Sequence, residues 1–186
     1  MKKLLLFAAL VVFVFTTGHA QTNFGVKTGV NLASLSGDDS GWVDGQTTIH
    51  IGGVANIGIT ELLSVQPELL YSRQGAKNKM DDTTIYLDYI TVPIMIDFKV
   101  AEGLSLQGGP QIGININGIV EDDNAGGEVD IENLESLDIG VGLGAQYKLS
   151  KGLFFQARYM VGLSNLSEEI KGKNSVISVS VGWFFD

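Results

Sequence analysis

The chain has 186 residues, of which 12 are basic and 21 acidic, giving a formal net charge of −9, and it contains no cysteine. An acidic balance argues against nucleic acid and against a basic membrane-surface module. The lack of thiols removes disulfide scaffolds and cysteine chemistry.

The first twenty residues stand apart from the rest. Met1-Lys2-Lys3 is a basic start, Leu4 to Phe15 is an apolar run, and Gly18-His19-Ala20 offers small residues where a signal peptidase reads. Residues 1–20 therefore read as an export signal, too short in its apolar part to span a bilayer. Residues 21–186 are then one domain of 166 residues, whose net charge is −11 once Lys2 and Lys3 are removed. No other segment reaches helical span length, so a membrane location requires strands.

Those strands follow in order, each marked by a period of two. The first, about Asn23 to Ala33, sets Phe24, Val26, Val30 and Leu32 against Gly25, Lys27, Gly29 and Asn31. In the second, Ile49 to Ile59, Ile51, Ala55 and Ile57 oppose His50, Gly52 and Asn56; in the third, Leu62 to Ser72, Leu63, Val65, Leu69 and Tyr71 oppose Ser64, Gln66 and Glu68. The fourth and fifth lie within Tyr86 to Gly118 and form a hairpin about Ala101-Glu102-Gly103. The sixth, Leu137 to Leu149, alternates Leu, Ile, Val and Tyr with Asp138, Gly140, Gly142, Gly144 and Gln146. After Ser150-Lys151-Gly152 come the seventh, from Leu153 to Leu163, and the eighth, Ser175 to Phe185. A helical period would mix the two sets on one face.

Short connections follow strands two, four and six, while long polar ones fall at about 34–48, 73–83, 119–133 and 164–174. In hydrocarbon an open sheet edge costs several kcal/mol per unpaired group, so the sheet must close. The expectation is an all-β fold: an eight-stranded antiparallel up-and-down transmembrane β-barrel, apolar outside and polar inside. Tyr71, Tyr86, Tyr89, Tyr147, Tyr159, Trp183 and Phe184-Phe185 are candidate interface aromatics. Pro67, Pro93 and Pro110 fall inside strands, each at the loss of a ladder bond, and call for bulges on neighbouring strands.

Several residues are candidates for chemistry. Lys27, Glu68, Asp97, Gln111 and Arg158 point inward and should form a packed polar network in the lumen. His50 is the sole histidine after residue 20, and no serine is tied to it by spacing, so no catalytic set is expected. Glu121, Asp122, Asp123, Glu128 and Asp130 are candidate hard-oxygen ligands for Ca²⁺, though they do not match a DxDxDG loop. No other cofactor is expected.

The stretches FGVKTGVNLASLSG, LLSVQPELLYSRQGAK, YLDYITVPIMIDFKV, GLSLQGGPQIGI and YKLSKGLFFQARYMVGLSNL occur in an order that resembles the PorT-like, porin-like outer-membrane β-barrel domain common in Bacteroidetes. The resemblance implies the barrel fold and a Gram-negative envelope location, and carries no functional motif. One departure is Asp186 after Phe185, where the usual terminal signal is aromatic. The expected role is non-enzymatic: an outer-membrane barrel with acidic outward loops, structural or partner-binding. Its expected partners are outer-membrane lipid and lipopolysaccharide, the barrel insertion machinery, and an extracellular or envelope protein. The alternatives are a narrow channel for ions or small solutes, and a soluble barrel holding an apolar ligand.

Overall fold

The computed structural model describes residues 22–36, 43–78, 83–122, 127–131, 136–165 and 172–185. The expected export signal and Asp186 lie outside them. Nine strands are formed: β1 Thr22–Ser36, β2 Val43–Gly58, β3 Leu63–Asn78, β4 Thr83–Ala101, β5 Leu104–Asp122, β6 Glu128–Asp130, β7 Leu137–Lys148, β8 Leu153–Gly162 and β9 Lys173–Phe185. All pairings are antiparallel, and β1 pairs with both β2 and β9, closing the sheet. Eight strands make the wall; β6 is a short addition on the outer end of β5.

The two faces divide as the alternation requires. Val26, Ile51, Leu69, Ile96, Leu106, Leu143, Tyr159 and Val179 are exposed on the outside, and Lys27, Glu68, Gln107, Gln146 and Arg158 are buried within. This facing is the reverse of what a soluble barrel with an apolar interior needs. The hairpin turns at one end close tightly because Gly103 (φ 74°) and Gly152 (φ 85°) adopt left-handed backbone that other residues resist.

Four expectations are corrected. The strands run on into the predicted loops: β1 continues to Ser36, β2 begins at Val43, β3 reaches Asn78 and β5 reaches Asp122. Apolar alternation reports contact with lipid, whereas the hydrogen-bonded ladder needs none and continues beyond it. The prolines, secondly, do not sit at bulges. Ladder pairing lapses for two positions beside each and resumes in the same register, as between Pro67↔Ile94 and Leu70↔Thr91, or Pro93↔Gln111 and Ile96↔Gly108. The register shifts lie elsewhere, at Gly45/His50, Asp88/Tyr89 and Lys99/Ala101. Thirdly, Tyr89 and Phe184 are buried in the lumen and are not interface aromatics. Fourthly, the lumen is not wholly polar. Val54, Phe154 and Phe184 cluster near the turn end, with the two rings 4.6 Å apart. Leu87 and Tyr89, with Leu35, Ile85 and Ile131, cap the loop end.

Candidate functional site

Inward positions on seven wall strands meet in one polar layer across the middle of the barrel. Glu68 of β3 is its centre. Lys27 Nζ lies 2.7 Å from Glu68 Oε2, while Arg158 donates Nη1 to Oε2 at 2.9 Å and Nη2 to Oε1 at 2.8 Å. Both ends of the carboxylate are thus taken, and the side chains of Lys27, Glu68 and Arg158 are at most 2% exposed.

Glutamines connect this triad to Asp97. Lys27 Nζ donates to Gln156 Oε1 at 2.6 Å, and Gln156 Nε2 to Gln107 Oε1 at 2.8 Å. Gln107 Nε2 in turn reaches Asp97 Oδ2 at 3.1 Å. Gln66 bridges Glu68 and Gln146 at 3.0 and 3.2 Å, and Asn56 of β2 donates to Gln66 at 3.2 Å. Two cations and two carboxylates leave the layer neutral, which a low-dielectric wall demands. An amide both donates and accepts, so four glutamines can carry the network between strands with few lone groups.

Of the residues singled out from sequence, Lys27, Glu68, Asp97 and Arg158 come together here. Gln111 does not: it is buried above the layer, lining a small cavity. The glutamines at 66, 107 and 156 were legible as inward-facing positions. Their role as connectors was missed, since a period of two shows which side a residue faces and not what stands opposite.

Two compartments flank the layer. Toward the turns lies an open vestibule of about 650 Å³, lined by Asn56, Ser64, Asp97, Lys99, Ser105, Lys148 and others. Toward the loops lies a cavity of about 30 Å³ lined by Asn31, His50, Ser72, Gln74, Asp138, Asn174 and others. Gln74 Oε1 and Arg158 Nε, both lining it, are buried without a hydrogen-bond partner. Asp138 accepts from Ser164 Oγ at 2.8 Å and from Asn174 Nδ2 at 3.2 Å, and Asn174 Nδ2 also reaches the Tyr89 hydroxyl at 3.2 Å.

His50 sits in this outer half in an arrangement that spacing did not disclose. Its Nε2 is 2.8 Å from Ser180 Oγ and its Nδ1 2.8 Å from Asn31 Oδ1, joining residues of β2, β9 and β1. Gly29 makes the space: a Cβ there would collide with the Val179 carbonyl and come within 2.7 Å of His50 Cε1. Nucleophile, base and orienting group are therefore in hydrogen-bond order. Yet Ser180 is only 2% exposed, and the adjoining 30 Å³ cavity has no room for an ester or amide substrate. The arrangement fastens three strands.

The acidic residues proposed for Ca²⁺ fall mostly outside what can be described. Glu121 is half-buried on β5; Asp122 on β5 and Glu128 and Asp130 on β6 are placed by backbone alone, and Asp123 lies outside the described residues. Backbone pairing sets Glu121 opposite Glu128. Among the described residues there is no group of three or more side chains able to hold a metal ion.

Comparison with known proteins gives the same fold. Residues 19–168 match a family described as the outer membrane protein beta-barrel domain. Neisserial surface protein A is similar at TM-score 0.61 and 16% identity, over 89% of this chain and 99% of that one. Ail, the attachment invasion locus protein of Yersinia pestis, in complex with the heparin analogue sucrose octasulfate, gives 0.56 and 15%, over 89% and 99%. The N-terminal β-barrel domain of Pseudomonas aeruginosa OprF gives 0.50 and 12%, over 90% and 100%. No curated protein matches the sequence.

Proposed function

Because the chain belongs to the outer membrane protein beta-barrel domain family, we propose that it is a plugged integral outer-membrane barrel that holds an acidic crown of strands and loops outside the bilayer for a partner to bind. The observation carrying this reading is the layer centred on Glu68, which ties Lys27 and Arg158 across the lumen with all three side chains buried. Above it the cluster of Leu87 and Tyr89 with Leu35, Ile85 and Ile131 supports a second closure. The short segments quoted above favour the PorT-like subgroup. A narrow channel is the second reading, favoured by the vestibule and the polar cavity on either side of the layer.

β3, β4 and β5 extend to Asn78, from Thr83 and to Asp122, well beyond the apolar band. A partner-binding role is one that the attachment protein of Yersinia pestis bears in its name. A sulfated ligand such as the one bound there is disfavoured here, since this chain is acidic overall.

The test is conductance of the refolded protein in a planar bilayer, with insertion confirmed by heat-modifiable gel migration. A silent bilayer is expected. Discrete steps from the folded protein would replace the plugged reading with the channel.

A further inference from the structure

One polar cluster sits on the outer, lipid-facing wall and plays no part in the lumen. On β3 the outward residues Leu69 and Tyr71 are followed by Arg73; on β4, reading toward the same end, Val92 and Ile90 are followed by Asp88. The register sets Tyr71 against Ile90 and Arg73 against Asp88. On these two strands the ion pair therefore takes the rung after the last apolar pair, toward the loop end and beside the exposed Ile116 of β5, a level that suits the edge of the lipid.

Its two members are left in unequal states. Asp88 is 5% exposed and accepts from Arg73 Nε at 2.7 Å, Arg73 Nη2 at 3.0 Å, Tyr71 OH at 2.8 Å and Asn117 Nδ2 at 3.4 Å. Its acceptor capacity is spent. Arg73 has used two of its five N–H groups, its side chain is 38% exposed, and its guanidinium lies 5.3 Å from the Tyr86 ring centre. The Tyr71 hydroxyl lies against the same guanidinium, whose remaining edge faces outward with the exposed part of the side chain. The result is a planar donor fork fixed on two sides and open on the third.

We propose that Arg73 binds the phosphate of an outer-leaflet lipid, the phosphorylated anchor of lipopolysaccharide. A guanidinium edge suits phosphate in geometry and charge, and at this depth a headgroup is the neighbour that offers it. Asp88 does not defeat the contact. It cancels long-range attraction but holds the fork in one plane, so little side-chain freedom is lost on binding. This inference rests on the outer-membrane reading of the chain.

The test uses the full mature protein folded in maltoside micelles, which contain no phosphate. Lipid A, dephosphorylated lipid A and inorganic phosphate are added separately, and the Arg73 Nε–H resonance is followed while native mass spectrometry counts retained lipid. The resonance should move with lipid A and stay in place with the other two, and Arg73→Gln should cut retained lipid A about tenfold. Equal retention by Arg73→Gln, or an equal shift with dephosphorylated lipid A, overturns the proposal. An equal shift with inorganic phosphate overturns the lipid as its source. Failure to give a heat-modifiable folded band would refute the barrel itself, whereas a folded barrel with an unmoved Arg73 refutes only the lipid contact.

Discussion

Two carboxylate–cation clusters among the described residues share the same shortest contact, 2.7 Å, in opposite settings. In the lumen, the Lys27 and Glu68 side chains are 2% and 0% exposed; on the outer rim those of Arg73 and Asp88 are 38% and 8% exposed. Contact distance therefore says little about energetic weight. At the rim, water or a headgroup can replace a lost partner. In the lumen no replacement is at hand, so every charge depends on the protein groups around it.

The largest expected effect follows from breaking the lumen cluster at its centre. Glu68→Ala leaves Lys27 and Arg158 facing each other with no carboxylate between them, and should cost about 3–5 kcal/mol. The readout is the temperature at which the folded band is lost in heat-modifiable electrophoresis. Replacing Lys27, Glu68 and Arg158 together by Met sharpens the point. Removing all three charges should cost less than Glu68→Ala alone, since buried ion clusters often give way to apolar groups at little loss. A triple variant as damaged as the single one would show that packing, not stranded charge, sets the effect.

Two smaller effects bracket the comparison. Ser180→Ala removes the neutral partner of His50 Nε2 and should cost about 1 kcal/mol in the same assay. Arg73→Gln at the rim should cost less than about 1 kcal/mol, with a loss that shrinks further as salt is raised. A rim variant as costly as Glu68→Ala would erase the distinction between the two clusters.

The wall was legible because lipid writes one rule onto every strand. The alternation from Leu137 to Leu149 or from Ile90 to Phe98 can be read without knowing any neighbour. The same rule put Lys27, Glu68, Asp97 and Arg158 inside, where the structure has them. Pairings across the lumen were not legible. His50 and Ser180 are 130 residues apart, and Gln66 and Gln146 are 80 apart. Only the order in which strands close brings them together. Phe184 misled for a related reason: it lies beside Phe185 in an aromatic pair, yet a period of two must send one ring inward. The strand extensions were hidden because polar residues such as Gln74 and Thr84 pair as readily as apolar ones once above the lipid.

The prolines bear on a stage the finished barrel no longer shows. Pro67, Pro93 and Pro110 fall on three adjacent strands, with Pro67 opposite Ile94 and Pro93 opposite Gln111, so the lapses in the ladder step diagonally across the wall. Until the sheet closes, these strands are open edges, and the stretch ITVPIMIDF around Pro93 carries one charge in nine residues. Without its proline this would be a strong template for other copies of the chain. A missing amide donor in each of three neighbouring strands interrupts stacking between unfolded molecules, while closure in the correct register loses only a few bonds. The placement of Pro93 within this apolar stretch is the one expected of a gatekeeper against aggregation before insertion.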